Sequence, residues 1–146
     1  MAKVFEIAIC KNSKGKMITT TNVEAVAKKG LVNDRHFKEN NDKSCQITLI
    51  EIENIDNYNK IFGTSISPEN FRRNIITKGI RLNELIGKEF FIGKVKVKGH
   101  DLCRPCKSLQ ENLKKGNIIK EFLHKGGLRC EIVSSGQIFT GDEIKI

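Results

Sequence analysis

Apolar and polar residues alternate along much of the chain, and few apolar runs exceed a handful of residues. Residues 3–10 (Lys-Val-Phe-Glu-Ile-Ala-Ile-Cys) and 45–50 (Cys-Gln-Ile-Thr-Leu-Ile) read as strands. Residues 88–92 and 94–98 read as two more, meeting at Gly93-Lys94, a tight hairpin signal. In the second of these, Val95 and Val97 point one way and Lys94, Lys96 and Lys98 the other, as in a half-buried strand. Strands are also expected at 71–77, 128–134 and 142–146, with turns at Ser135-Gly136 and Thr140-Gly141-Asp142. Residues 23–30 read as loop.

The period changes to helical at 51–61, where Ile52, Ile55 and Tyr58 share a face and Gly63 lies just past the end. Glu51 is expected to cap this helix. Ser67-Pro68 suits a single helical turn, and helical character returns at 105–115 and 117–124. Many short strands with glycine turns predict a mainly β fold, a closed or nearly closed barrel with two or three short helices. The helices are expected as inserts, not as crossovers between parallel strands. One domain spanning residues 1–146 is expected from the length.

Composition adds limits. The apolar fraction is 38% and no apolar run is long enough to span a bilayer, which excludes a helical membrane protein. The first residues alternate instead of forming a signal-peptide core, so a cytoplasmic protein is expected. The net charge of +9 favours an anionic partner. Most of the 26 cations are scattered lysines, as on a solvated surface. Arginine makes the bidentate phosphate contacts that lysine does not, so Arg35, Arg72, Arg73, Arg81, Arg104 and Arg129 are the better candidates. No Trp and one Tyr leave no aromatic platform of the kind single-strand binders use, which argues against nucleic acid.

Five cysteines, an odd number, do not suggest a disulfide framework. Cys10, Cys45 and Cys130 fall in expected strands and are read as packing. Cys103-Arg-Pro-Cys106 differs. Pro105 suits the first helical position, which would put Cys106 in the first turn. Helix dipole, backbone N–H groups and the flanking Arg104 and Lys107 would all favour a thiolate there. Spacing alone leaves three alternatives: half of a zinc site, a redox disulfide, or two buried thiols.

Several stretches together resemble one family. They are Gly30-Leu-Val-Asn-Asp-Arg-His36, Gln46-Ile-Thr-Leu-Ile-Glu51, Arg72-Arg-Asn-Ile-Ile-Thr-Lys-Gly-Ile-Arg-Leu82 and Leu85-Ile-Gly-Lys-Glu-Phe-Phe-Ile-Gly93. Leu102-Cys-Arg-Pro-Cys106, Gly126-Gly-Leu-Arg129 and Gly136-Gln-Ile-Phe-Thr-Gly-Asp142 continue them in register. The chain resembles the molybdenum cofactor sulfurase C-terminal (MOSC) domain family. The resemblance implies a β-barrel that binds, sulfurates or uses the molybdenum–pterin cofactor (molybdopterin). Some relatives reduce N-hydroxylated compounds.

By that resemblance Cys106 is the molybdenum ligand or sulfur carrier and the catalytic residue. A soft metal and a phosphate tail want a thiolate and cations. Arg35, Arg72, Arg73 and Arg129 are the candidates for the phosphate, Asn74 and Thr77 for the phosphate or pterin edge, and Cys103 for a neighbouring role. Asp34 and Asp142 are expected to fix turns. Asn33 stands where many relatives carry glycine, and asparagine tolerates the left-handed backbone such a turn needs. Larger relatives carry an extra barrel or electron-transfer parts. A reductase of this kind would draw electrons from a separate electron-transfer protein, while the alternative is a non-catalytic cofactor carrier or sulfur-transfer module, with a cofactor-biosynthesis protein as its partner.

Overall fold

The computed structural model describes residues 1–12, 15–103 and 118–146, apart from the Ile119 side chain. Eight strands form one sheet. In chain order they are β1 (Lys3–Ile9), β2 (Ile18–Thr20), β5 (Ile47–Glu51), β6 (Ile75–Lys78), β7 (Glu89–Ile92), β8 (Val95–Leu102), β9 (Leu128–Ile132) and β11 (Ile144–Lys145). Their spatial order is β11-β7-β8-β9-β5-β6-β1-β2. A second sheet, order β10-β3-β4, contains β3 (Asn22–Val26), β4 (Gly30–Leu31) and β10 (Gly136–Phe139). The fold is mainly β, as the alternation predicts.

The large sheet curls so that its β11 end reaches the start of β1. Val4 N–H donates to Asp142 O at 2.8 Å, Gly141 N–H to Val4 O at 2.8 Å and Ile144 N–H to Ala2 O at 2.9 Å. Lys3 and Glu143 form an isolated bridge instead of a ladder, so the sheet is a curled half-barrel that is not fully closed. The small sheet lies over the concave side. Its Val23, Ala25, Leu31 and Ile138 join Ile7, Leu49, Ile75, Phe90, Val97 and Leu128 in one apolar core. The Gly93 hairpin holds as expected, with Ile92 opposite Val95.

A second core lies on the opposite face of the sheet. Helix α1 (Ile52–Phe62) packs Ile52, Ile55 and Tyr58 against Ala8, Ile50 and Ile76. Ile118 of α2 (Ile118–Glu121) and Phe122 complete it, with the Phe71 and Phe122 rings 4.8 Å apart. Gly63 ends α1 in a left-handed conformation, φ 63°, as its place past the last apolar residue suggests. Among the described residues no helix is long and apolar enough to cross a membrane.

Four expectations are corrected. Strands β5 and β6 run parallel, so α1 is part of a crossover connection, which parallel neighbours require. Residues 22–26 are strand β3 with Val23 and Ala25 inward, not loop; a stretch this short, with only two small inward residues, hid the alternation. Residues 68–71 form a 3-10 turn and Arg72 is left-handed, φ 63°, so the arginine pair precedes β6 instead of lying in it. Cys45 is exposed in the turn before β5, its N–H donating to Asp42 O, and does not pack in a strand. The expected helix at 105–115 lies outside the described residues.

Candidate functional site

Beside the second core, the same face of the sheet carries a line of polar side chains. Asp101 of β8 pairs with Arg129 of β9, and Arg129 with Thr48 of β5. Directly opposed residues in antiparallel strands put their side chains on one face, so these three share it. Asn74, just before β6, takes the next place: its N–H donates to Thr48 O at 3.1 Å. Ala8 of β1 follows, its N–H donating to Asn74 O at 2.7 Å.

Cys103 follows the end of β8 and is tied there by its N–H to Gly127 O at 2.7 Å. Its thiol is buried, with 3% of the residue exposed. Burial pushes the thiol pKa up, while the guanidinium groups of Arg73 and Arg129 pull it back and Arg129 hydrogen-bonds the sulfur. Arg73 is held by Nε–H to Gly126 O at 2.9 Å and by a second donor to Phe71 O at 3.4 Å. Gly127 has φ 110°, and a Cβ there would collide with the Leu49 carbonyl. Only glycine lets the chain entering β9 approach β5 this closely while its carbonyl holds Cys103 N–H.

A second group lies around the end of β1. Asp34 accepts from Cys10 N–H at 3.0 Å and His36 N–H at 3.3 Å, so it fixes its turn as expected. Asn33 occupies φ 71°, the left-handed backbone that glycine would provide. Arg35 N–H donates to Cys10 O at 2.6 Å, and its guanidinium reaches Met17 Sδ at 3.2 Å. Burial lowers the His36 pKa, Asp34 counters this and Arg35 adds to it, so the ring is biased to the neutral form. Arg72 reaches Gly15 O at 3.0 Å, towards the turn after β1.

The structure therefore brings Cys103, Arg73 and Arg129 together and sets Asn74 beside them. Arg35 and Arg72 stand with the β1 turn. Thr77 is on the opposite face of β6 from Asn74, fully buried, with its hydroxyl donating to Ile50 O at 3.3 Å. Cys106 lies outside the described residues. Cys10, Cys45, Cys103 and Cys130 are free thiols, and Cys10 and Cys130 are buried as expected. Glu51 corrects another expectation: it makes no cap bond to α1, and its carboxylate accepts from Leu82 N–H at 3.2 Å. Thr48 was not apparent from the sequence as a site residue, because one threonine in an apolar strand carries no such signal. Among the described residues no group of three His, Cys, Asp or Glu side chains is placed to hold a metal ion.

Solved structures share this fold. The YuaD protein of Bacillus subtilis is 20% identical, covers 98% of this chain and 93% of its own, and superposes with a TM-score of 0.84. YiiM of Geobacillus stearothermophilus is 15% identical, with coverage of 99% and 74% and a TM-score of 0.78. YiiM of Escherichia coli is 16% identical, with coverage of 99% and 67% and a TM-score of 0.70. Comparison with curated proteins gives no match. The MOSC domain matches residues 33–145, a stretch that includes every candidate residue of the cluster. The chain belongs to the MOSC domain family, which is linked to molybdenum-cofactor binding.

Proposed function

We propose that this protein binds a molybdenum–pterin cofactor, with Cys106 as metal ligand or sulfur carrier and Arg73 and Arg129 holding the phosphate. The observation that carries the reading is the group around Cys103: a buried sulfur hydrogen-bonded by Arg129, with the Arg73 guanidinium near enough for its charge to act on the thiol. Sulfur is the soft ligand that molybdenum chemistry wants, and paired guanidiniums suit phosphate. Arg35 and Arg72 add positive charge from the neighbouring turn. Cys103 is the neighbouring thiol, buried where it shares the arginines' field. When bound, the cofactor would supply two-electron oxygen-atom or sulfur chemistry. The chain's own residues bind it, orient it and exclude water with the apolar core beneath.

As an enzyme the protein would reduce N-hydroxylated compounds, with electrons from a separate donor protein. Purification from a cofactor-competent host, followed by molybdenum and pterin analysis and intact mass, tests the reading. Both groups are expected in the native protein and absent from Cys106→Ser. Their absence from the native protein, or full retention in the variant, refutes it. Turnover of a hydroxylamine substrate with a chemical reductant separates the reductase from a carrier, which would show added sulfur mass on Cys106 and no turnover.

A further inference from the structure

The Asn74 amide has two N–H donors and an oxygen with two lone pairs, four hydrogen-bonding places in all. Each is already filled. Nδ2 donates to Ala8 O at 3.2 Å and to Asp34 Oδ1 at 3.4 Å. Oδ1 accepts from Thr48 N–H at 3.2 Å and from Thr48 Oγ1 at 3.1 Å. The residue is 5% exposed. An amide so placed has no free donor or acceptor for a bound molecule.

Its partners are the two halves of the candidate site. Asp34 belongs to the turn that carries Arg35 and His36 and holds the end of β1 through Cys10 N–H. Thr48 is the cross-strand neighbour of Arg129. Arg73 immediately precedes Asn74 in the chain. Hydrogen bonds thus run from the Arg35 turn through Asn74 to Thr48, next to the arginine that bonds Cys103. Burying this many polar groups costs stability unless every partner is made, and here they are made.

We propose that Asn74 is a positioning residue, not a cofactor ligand: with Asp34 and Thr48 it sets the spacing between the Arg35 turn and the Arg73–Arg129–Cys103 cluster. This rests on the anion-binding reading given above. It goes beyond it, because it assigns the polar centre of the site to the protein's own geometry.

Thr48→Val removes the hydroxyl from Asn74 and touches neither arginine, so it is the milder test. Asn74→Asp replaces both donors with a carboxylate oxygen facing Asp34, and Asp34→Asn in the same chain removes that repulsion. Two measurements apply: affinity for inorganic phosphate by calorimetry, and the pH midpoint of Cys103 alkylation, followed on its own peptide by mass spectrometry. We expect folded Thr48→Val to bind phosphate at least threefold more weakly and its Cys103 midpoint to move upward. Asn74→Asp should do both more strongly, and the Asp34→Asn, Asn74→Asp pair should recover part of each loss.

A purely structural role would lower the melting temperature while leaving phosphate affinity and the Cys103 midpoint of the folded variants as in the native protein. That result overturns the proposal. If native protein binds neither phosphate nor molybdenum, the cofactor reading fails, and the Cys103 midpoints alone then decide whether Asn74 positions the cluster.

Discussion

The two faces of the curled sheet use the same strands for different ends. On the concave face Ile7, Leu49, Ile75, Val97 and Leu128 meet the small sheet in an apolar layer. On the other face, residues one step along the same strands are Ala8, Thr48, Asn74 and Arg129, joined by hydrogen bonds to each other and to the turn at Asp34. The concave face gives stability by excluding water from contiguous apolar surface. The polar line adds little net stability per bond and gains fixed geometry instead. Substitutions on the two faces should therefore separate stability from chemistry.

The largest effect is expected where the two meet. Gly127→Ala adds a Cβ against the Leu49 carbonyl at φ 110°, so the strand has to move. A loss of more than about 4 kcal/mol, or failure to fold, is expected in thermal unfolding. Ile75→Ala empties a fully buried site on the concave face and should cost about 3 kcal/mol. That corresponds to roughly 10 °C in melting temperature, with the Cys103 alkylation midpoint unchanged.

Arg129→Ala should do the reverse. Its melting temperature should fall by about 3 °C or less, because one partly buried hydrogen bond is lost. The Cys103 midpoint should rise, because the guanidinium that opposes the burial effect is gone. Equal midpoints in Arg129→Ala and the native protein would end the distinction between the faces.

The smallest effect lies away from the site. Burial raises the Glu6 carboxyl pKa above 4.5, and Glu69 raises it further by charge and by a hydrogen bond. A raised folded value means the stabilising contribution is present below the unfolded value and is lost as pH rises through the folded one. At neutral pH the two carboxylates repel. Glu69→Gln should raise the melting temperature by about 1 °C at pH 7, as for a weak surface pair, and the gain should fade as pH falls through the raised Glu6 value. A gain that grows on acidification would contradict the assignment.

The concave face was legible in the sequence because alternation is a local signal. Strands β1, β5, β7, β8 and β9 and helix α1 lie close to where their periodicity puts them. Strand β3 was missed because its inward residues, Val23 and Ala25, are few and small. β10 was missed because Gly136 and its neighbours look like turn alone. The site was legible as residue types and not as an arrangement. Arg73, Arg129 and Cys103 were picked out, and the structure brings them together. What binds Asn74 could not be read, since its side-chain partners lie 26, 40 and 66 residues away in sequence. Glu51 illustrates the same limit: its position suggested a local cap, yet its carboxylate bonds a backbone amide 31 residues on.

The central claim is that the polar face, through its arginines, holds a molybdenum–pterin cofactor. The most direct test is the molybdenum-to-protein ratio of native protein beside the double variant Arg73→Ala, Arg129→Ala, both from a cofactor-competent host. A ratio near one is predicted for the native protein, with at least about a tenfold loss in the folded double variant, as expected for losing charge-assisted phosphate contacts. Equal ratios in the two proteins, or native protein without molybdenum, would contradict the account.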